Sequence, residues 1–177
     1  MTELFQVRAE HLKLSYILRN YESLPSVVAF VHAHRDGYPA AWHNDAGNYD
    51  NVNSLRALNV DFVQRNGYAN LRCIWTPGCP DEIHPLRETP KDVHNGESTE
   101  QAMASVWPLF FAPQAVPPII GTPCCAQFAV SREQIRERLL LEYVRYHDWL
   151  METELSDDVS GRVFEYLWHI IFGQDPI

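Results

Sequence analysis

Apolar residues are spaced along the chain in two ways, one typical of helices and the other of buried strands. Where they recur at steps of three and four, the pattern predicts an amphipathic helix. Short, uncharged and β-branched runs between turn residues predict strands. We predict five helices, AEHLKLSYILRNY, VNSLRALNVDFVQRN, TEQAMASVWPLFF, SREQIRERLLLEYVRYHDWLMETE and VSGRVFEYLWHIIF, and three strands, SVVAFVH, YANLRCIW and CCAQFAV.

Capping and helix-breaking residues indicate the boundaries of these helices. Ser131 and Gln134 have the spacing of a capping box, in which each side chain satisfies a free backbone N–H of the other residue. Asn51 or Asn53 is expected to cap the second helix, and Gly67 to end it. Further boundaries are expected at Ser98 or Thr99, at Asp157 or Asp158 and at Gly173, with an interruption near Pro108.

The alternation of strands and helices predicts an α/β fold. We expect one domain over residues 1–177, in which helices cover a small mixed sheet with strands at 26–32 and 125–130. Open α/β sheets bind ligands at the carboxyl ends of their strands. The functional site is therefore expected at that edge.

The composition excludes some partners. A net charge of −9 argues against nucleic acid, because phosphate binding needs clustered Lys and Arg. No apolar run has the length of a membrane span, and the first residues, MTELFQVRAEHLKLSY, do not form a secretory signal. We expect a protein without a membrane span, in the cytosol by default.

The four cysteines, Cys73, Cys79, Cys124 and Cys125, match no common zinc pattern. In the cytosol they would be buried thiols, and in an oxidising compartment one or two disulfides would be natural. A disulfide from Cys124 or Cys125 to Cys73 or Cys79, or a buried thiol, is favoured over a nucleophilic cysteine.

A histidine-rich segment, FVHAHRDGYPAAWHND, follows the first predicted strand. His32 and His34 are two residues apart, so in an extended chain both rings point to one side and could bind one metal ion. His43 could fold back as a third ligand, and Asp36 or Asp45 could supply an oxygen or a catalytic base.

Two other interpretations of this segment stay open. It could be a catalytic or substrate-binding loop without a metal, in which Arg35 and Trp42 contact the substrate. It could also be a polar turn, in which His32 ends a strand and Asn44 and Asp45 form an Asx-turn.

Three side chains of the last predicted helix share one face, because Arg162, Glu165 and His169 are spaced by three and four residues. Glu165 could orient His169 as a general base or as a further metal ligand, which makes both residues catalytic candidates. The alternative is a surface pairing of modest energy.

Arg132 and Arg136 lie one turn apart at the start of the fourth helix. Arg132 is a candidate for binding a phosphate, and the alternative is a solvated face paired with Glu133 and Glu137.

Four motifs, HAHRDG…WHND, GYANLRCIWTPGCP, CCAQFAVSREQIRER and SGRVFEYLWHIIFG, resemble those of an uncharacterised, mainly fungal family known as a domain of unknown function. The resemblance runs from about residue 10 to the end, and it implies no reaction.

Two segments also resemble glycosyltransferases of the A type. FVHAHRD stands where those enzymes carry a metal-binding D-x-D turn, with H-x-H in its place, and CCAQFAVSRE is similar to their acceptor-side segment. The sequence starts inside the first helix of that pattern, so the resemblance implies a truncated core without the nucleotide-binding strand.

Taken together, these features predict a metal-dependent enzyme that acts on a small or carbohydrate-like hydroxylated substrate, with glycosyl transfer as the specific reaction. The alternatives are a non-enzymatic module that binds a sugar or a peptide, and a scaffold protein. One observation would distinguish the enzyme from these two alternatives, namely whether four histidines converge on one pocket: His32, His34, His43 and His169.

Overall fold

Strand β5 (Phe128–Ser131) pairs on both sides with shorter strands to form a three-stranded sheet in the computed structural model, which describes residues 6–177. Its neighbours are β1 (Val27–Phe30) and β2 (Tyr68–Asn70), and both pairs are antiparallel. The prediction of a mixed sheet is therefore wrong, although the α/β class is confirmed. All four residues of β5 are buried, as expected for a middle strand covered on both faces.

Eight α-helices surround this sheet within residues 6–177 and form one compact domain with it. Residues 1–5, which the domain prediction includes, lie outside the described residues. A second, two-stranded antiparallel sheet consists of β3 (Val93–His94) and β4 (Glu97–Ser98). The helices are α1 (Gln6–Asn20), α2 (Asn51–Arg56), α3 (Val60–Asn66), α4 (Thr99–Phe111), α5 (Arg132–Arg136), α6 (Leu140–Glu152), α7 (Asp157–Glu165) and α8 (Trp168–Ile171).

Three of the five predicted helices are each divided into two. Asn59 caps α3 by accepting a hydrogen bond from the N–H of Phe62 (2.9 Å), which separates α3 from α2. Glu142 accepts a hydrogen bond from the N–H of Leu139 (2.8 Å) and opens α6 after the short α5. The last predicted helix is broken between α7 and α8, at Tyr166.

The predicted caps are partly correct. Ser131 accepts a hydrogen bond from the N–H of Gln134 (3.1 Å), but the N–H of Ser131 donates to the carbonyl of Gly67 (2.8 Å). The reciprocal half of the capping box is thus replaced by a bond from another part of the chain. At α2 the cap is Asp50, and neither Asn51 nor Asn53 has that role.

The helix TEQAMASVWPLFF has the predicted range, with Ser98 as its N-cap. The expected interruption near Pro108 is absent, since α4 continues to Phe111. Every helix within residues 6–177 falls short of the length and apolar character that crossing a membrane requires.

An aromatic core joins the sheet to the helices. The ring of Phe128 on β5 lies 5.5 Å from that of Trp168 and 5.4 Å from that of Phe172. A second group on α4, α6 and α7 continues the core through Phe110, Tyr146 and Phe164. Burial of each such side chain contributes about 1.5–3 kcal/mol, so this core fixes the position of α7 and α8 on the sheet.

The strand register determines which loops meet. Phe30, the last residue of β1, faces Phe128, the first residue of β5. The segment after β1 and the segment before β5 therefore lie side by side at one edge of the sheet. An antiparallel sheet has no common carboxyl edge, so the predicted location of the site is replaced by this meeting of two loops.

Candidate functional site

A cavity of about 250 Å³ opens where these two segments meet helices α1 and α7. One wall comes from the segment that precedes β5, and a second from the loop that follows β1. The helices form the third wall. The residues that matter for chemistry are His32, Trp42, His43, Cys124, Cys125, Glu10, Arg162 and Glu165.

Glu165, in the last turn of α7, has a carboxyl group that faces the cavity. It accepts a hydrogen bond from the backbone N–H of Cys125. Burial raises the pKa of Glu165, and the Cys125 N–H and the nearby Arg162 oppose this effect only in part. Burial therefore favours the protonated form of a carboxyl group that lines the cavity.

Arg162 does not form an ion pair with Glu165. Its guanidinium binds the carboxylate of Glu82 (2.6 Å) and lies over the ring of Tyr166 (5.2 Å). Among the described residues, Glu165 has no ion pair with any Lys or Arg. Its carboxyl group is thus available to a ligand.

Glu10, on α1, has a different environment. One carboxylate oxygen binds the ammonium of Lys13 at 2.8 Å, and the other accepts a hydrogen bond from the indole N–H of Trp168. Lys13 also donates to the carbonyl of Ala126 (3.0 Å). Glu10 and Lys13 are 6 % and 7 % exposed, so this is a buried, fully paired ion pair with a structural role.

Cys124 and Cys125 form a disulfide between adjacent residues. Cys73 and Cys79 are free, so the predicted pairing of Cys124 or Cys125 with one of them is wrong. Both Cys125 (φ 84°) and Ala126 (φ 46°) adopt backbone conformations that non-glycine residues rarely take. Such a backbone persists only where its surroundings hold it in place.

Hydrogen bonds on both sides supply that support. The N–H of Cys124 donates to the carbonyl of Pro77 (3.1 Å), and the N–H of Cys125 donates to Glu165. The carbonyl of Cys125 lies 2.7 Å from Nε2 of His32. A carbonyl oxygen only accepts, so this nitrogen carries the proton.

His32 and His43 are stacked, with ring centroids 4.3 Å apart. Burial lowers the pKa of His32, and burial together with the neighbouring histidines lowers the pKa of His43 to about 4. Both rings are therefore neutral at pH 7. Trp42, which is half-buried, adds an aromatic ring to the same wall; this ring lies 4.8 Å from that of His43 and 4.9 Å from the guanidinium of Arg72.

A buried amide, Gln127, holds this wall together. It accepts a hydrogen bond from the N–H of His32 (2.7 Å) and donates to the carbonyl of His43 (2.6 Å). Asn51 donates to the carbonyl of His34 (2.6 Å), and Asn44 donates to Asn51 (2.9 Å). Asn44 also forms the predicted Asx-turn by accepting from the N–H of Ala46 (2.9 Å).

Several predicted site residues lie outside the cavity. His34, Arg35 and Asp36 are exposed, and Arg35 lies 3.6 Å from Asp36. Asp45 is exposed and accepts hydrogen bonds from the backbone N–H groups of Cys73 and Ile74. These contacts give Asp45 a role in joining two loops.

The predicted metal ligands are not brought together as a set. His32 and His43 line the cavity, but His34 does not. Among the described residues, the group of three with closely spaced ligand atoms consists of Cys124, Cys125 and Glu165, whose ligand atoms lie within 4.8 Å of one another.

His169 also lies away from the cavity. It is buried in α8, with Nε2 at 3.4 Å from the carbonyl of Pro176, and burial lowers its pKa to about 4. The predicted pairing of Glu165 with His169 is wrong, because the helix breaks at Tyr166 and ends the spacing that would have aligned them.

The two arginines of α5 bind parts of the protein. Arg132 pairs with Glu133 (3.1 Å) and donates to the carbonyl of Leu24 (3.5 Å), away from the cavity. Arg136 donates to the carbonyls of Tyr21 and Glu22.

The cavity thus unites four predicted site residues, His32, Trp42, His43 and Glu165, with two features that the sequence reasoning missed, Glu10 and the Cys124–Cys125 disulfide. Gln127, which supports the wall from behind, was also missed. A Cys-Cys pair in front of an apolar strand was the available signal for the disulfide. Gln127 and Glu10 gave no such signal, since their partners are far away in the sequence.

These features define a small α/β domain with a polar, partly enclosed cavity. The chain belongs to the family described as "Protein of unknown function (DUF3431)", which matches residues 6–177. No curated protein and no solved structure matches the chain.

Proposed function

We propose that the protein is an enzyme that binds a small, carbohydrate-like hydroxylated molecule in this cavity and uses Glu165 as its acid–base group. The observation that carries the proposal is the position of Glu165, whose carboxyl group faces the cavity without an ion-pair partner among the described residues. Glu10, the other carboxylate of the cavity, is neutralised by Lys13.

The size and lining of the cavity support the substrate class. Pockets for drug-sized ligands have volumes of about 300–1,000 Å³. A cavity of about 250 Å³ is suited to a smaller molecule, such as a single sugar ring. The Trp42 ring, over which the guanidinium of Arg72 lies at 4.9 Å, lines the cavity and offers aromatic surface for the apolar side of a sugar. His32, Arg162 and Glu165 offer polar groups for its hydroxyls.

Glycosyl transfer is the specific reaction that we propose, and its basis is the resemblance to A-type glycosyltransferases. Glu165 donates a proton to the leaving oxygen while the bond between that oxygen and the anomeric carbon breaks. The acceptor oxygen forms the new bond to the same carbon, and the acceptor proton returns to the carboxylate of Glu165. Both imidazoles are neutral at pH 7, so neither places a positive charge beside Glu165 that would favour loss of its proton.

A divalent ion at the histidine loop is a separate proposal. His32 uses Nε2 to bind the carbonyl of Cys125, so only Nδ1 is available to an ion, and His34 would have to move from its exposed position. Elemental analysis of the purified protein and of a His32→Ala, His34→Ala double variant tests this proposal. Equal and negligible metal content in the two proteins would contradict it.

The substrate proposal is tested with a panel of monosaccharides and nucleotide sugars. We expect at least one of them to raise the melting temperature of the protein, and we expect Trp42→Ala to remove this shift. Trp75→Ala is the matched control, because Trp75 is exposed and does not line the cavity. A panel without any effect, or equal shifts in both variants, would contradict the proposal.

The catalytic role of Glu165 is tested with the sugar that binds best. We expect Glu165→Gln to bind this sugar but to form no product when donor and acceptor are supplied, as measured by mass spectrometry. Glu154→Gln, which changes an exposed glutamate, should retain activity. Turnover by Glu165→Gln at the parent rate would exclude the acid–base role. Sugar binding by a parent protein that forms no product would favour the non-enzymatic binding module.

A further inference from the structure

We infer that the protein, once its Cys124–Cys125 disulfide is reduced, binds a thiophilic divalent cation such as Zn²⁺ or Cd²⁺ through both sulfurs and Glu165. The three candidate ligand atoms lie within 4.8 Å of one another at the wall of the cavity. This inference does not depend on the reaction proposed above.

The backbone keeps both sulfurs near the cavity independently of the bond between them. The N–H of Cys124 is bound to the carbonyl of Pro77, and the N–H and carbonyl of Cys125 are bound to Glu165 and His32. These hydrogen bonds do not involve sulfur. We therefore expect the two thiols to stay at the cavity wall after reduction.

The ligand set fits a soft cation better than a hard one. Zinc binds thiolates at about 2.3 Å and accepts carboxylate oxygens, often in sites with three protein ligands and one open position. Glu165 uses Oε1 to accept the N–H of Cys125, so its second oxygen is available to the ion. Mg²⁺ and Ca²⁺ prefer oxygen ligands alone and should bind weakly here.

The chemistry requires a dithiol reductant. The reductant supplies two electrons and two protons, the sulfur–sulfur bond of the protein breaks to give two thiols, and the reductant becomes a disulfide. The cation then displaces both thiol protons, together with the proton of the Glu165 carboxyl group where it is present, and binds the two thiolates and the carboxylate. In the oxidised protein neither sulfur is a thiolate, so the same cation should not bind.

The test uses a Cys73→Ser, Cys79→Ser parent, which removes the two free thiols. Cd²⁺ is titrated into its oxidised form and into its dithiol-reduced form after the reductant has been removed. We expect one Cd²⁺ per reduced chain, with an ultraviolet sulfur-to-cadmium charge-transfer band, and no binding to the oxidised chain. Absence of binding to the reduced chain, or equal binding to both forms, would overturn the inference.

The contribution of the carboxylate is tested in the same background. Glu165→Gln should weaken Cd²⁺ binding to the reduced chain by at least about tenfold, as loss of a ligand or of its support does in other metal sites. Glu154→Gln, the exposed control, should bind as the parent does. Equal affinity in the two variants would remove Glu165 from the site. The comparison of redox forms needs no change at Cys124 or Cys125, so it does not depend on whether variants of these residues fold.

Discussion

Glu10 and Glu165 reach the same cavity from α1 and α7, but their environments differ. Glu10 is surrounded by its charge partner Lys13 and the indole N–H of Trp168. Glu165 has only a backbone N–H from Cys125 and no ion pair within the described residues. The comparison teaches that burial alone does not distinguish a structural carboxylate from a reactive one. The distinction comes from whether the surrounding groups already neutralise the charge.

The largest effect is expected from breaking the ion pair on the α1 side. Lys13→Met leaves the buried charge of Glu10 without its partner, which should lower the free energy of unfolding by about 3–5 kcal/mol. Urea unfolding measures this change. Lys91→Met is the matched control, because Lys91 is exposed, and it should change stability by less than about 0.5 kcal/mol.

A second variant shows whether charge, and not packing, causes that loss. Glu10→Gln in the Lys13→Met background removes the uncompensated charge and keeps an oxygen for the indole N–H of Trp168. We expect the double variant to be more stable than Lys13→Met alone. A double variant that is less stable would contradict the assignment of the pair as an ionic structural element.

The second largest loss in the free energy of unfolding is expected from Gln127, whose side-chain amide supports the wall formed by the loop after β1. Gln127→Met removes both hydrogen bonds, so the N–H of His32 and the carbonyl of His43 lose their partners. The expected loss is about 1–3 kcal/mol, which is typical of unpaired buried backbone groups. Thermal or chemical unfolding measures it. Gln64→Met, at an exposed position, should have almost no effect, and equal losses in the two variants would argue against this role of Gln127.

A smaller effect on the free energy of unfolding is expected from a change of pH, because the buried His169, outside the cavity, has a lowered pKa. Burial lowers the pKa of His169 from 6.5 to about 4, so the unfolded chain binds a proton there that the folded chain does not. The contribution of His169 to stability is therefore present above pH 6.5 and is lost as the pH falls from 6.5 to about 4. His169→Gln should reduce this loss by about 1 kcal/mol per pH unit.

Unfolding curves recorded across that pH range test this prediction. Gln64→Met, which changes an exposed residue without a titratable group, serves as the control and should leave the slope of the parent protein unchanged. Some slope should remain in His169→Gln, since burial also lowers the pKa of His32 and of His43. A parent slope that His169→Gln leaves unchanged would contradict the prediction.

The smallest change in the free energy of unfolding is expected from substitution of Glu165, on the α7 side of the cavity. Glu165→Gln keeps an acceptor for the N–H of Cys125 and removes a charge that burial disfavours. Stability at neutral pH should stay within about 1 kcal/mol of the parent and should shift upward. Glu10→Gln, which leaves Lys13 unpaired, should be destabilising instead. If urea unfolding gave both variants the same loss, the contrast between the two carboxylates would fail.

Local patterns in the sequence predicted much of the fold. The range of α4, with Ser98 as its cap, and the core of strand β1 follow from periodicity and capping alone. The division of the longer helices does not follow from local pattern. Apolar residues continue across the break at Tyr166, and the rings of Phe164 and Trp168 on either side of it pack against each other in the core, with centroids 5.6 Å apart.

The candidate site was harder to predict than the fold, because its decisive contacts join distant residues. Glu165 binds the backbone of Cys125, and His32 binds the carbonyl of the same residue from far earlier in the chain. Side-chain spacing identified His32, His43 and Glu165 as candidates, but it favoured His34 and His169 equally. The antiparallel register of β1 and β5 brings the segment of His32 beside Cys125, and the helix break at Tyr166 separates His169 from Glu165.

Cys125 touches both opposing walls of the cavity through its backbone, Glu165 through its N–H and His32 through its carbonyl. The backbone of Cys125 therefore sets the distance between the carboxyl group of Glu165 and the imidazole of His32. Remodelling of the exposed residues 34–36 would leave that spacing intact, whereas a one-residue insertion beside Cys125 would change it. For anyone redesigning the domain, this exposed turn offers freedom to change the sequence, and the short stretch before β5 must keep its length.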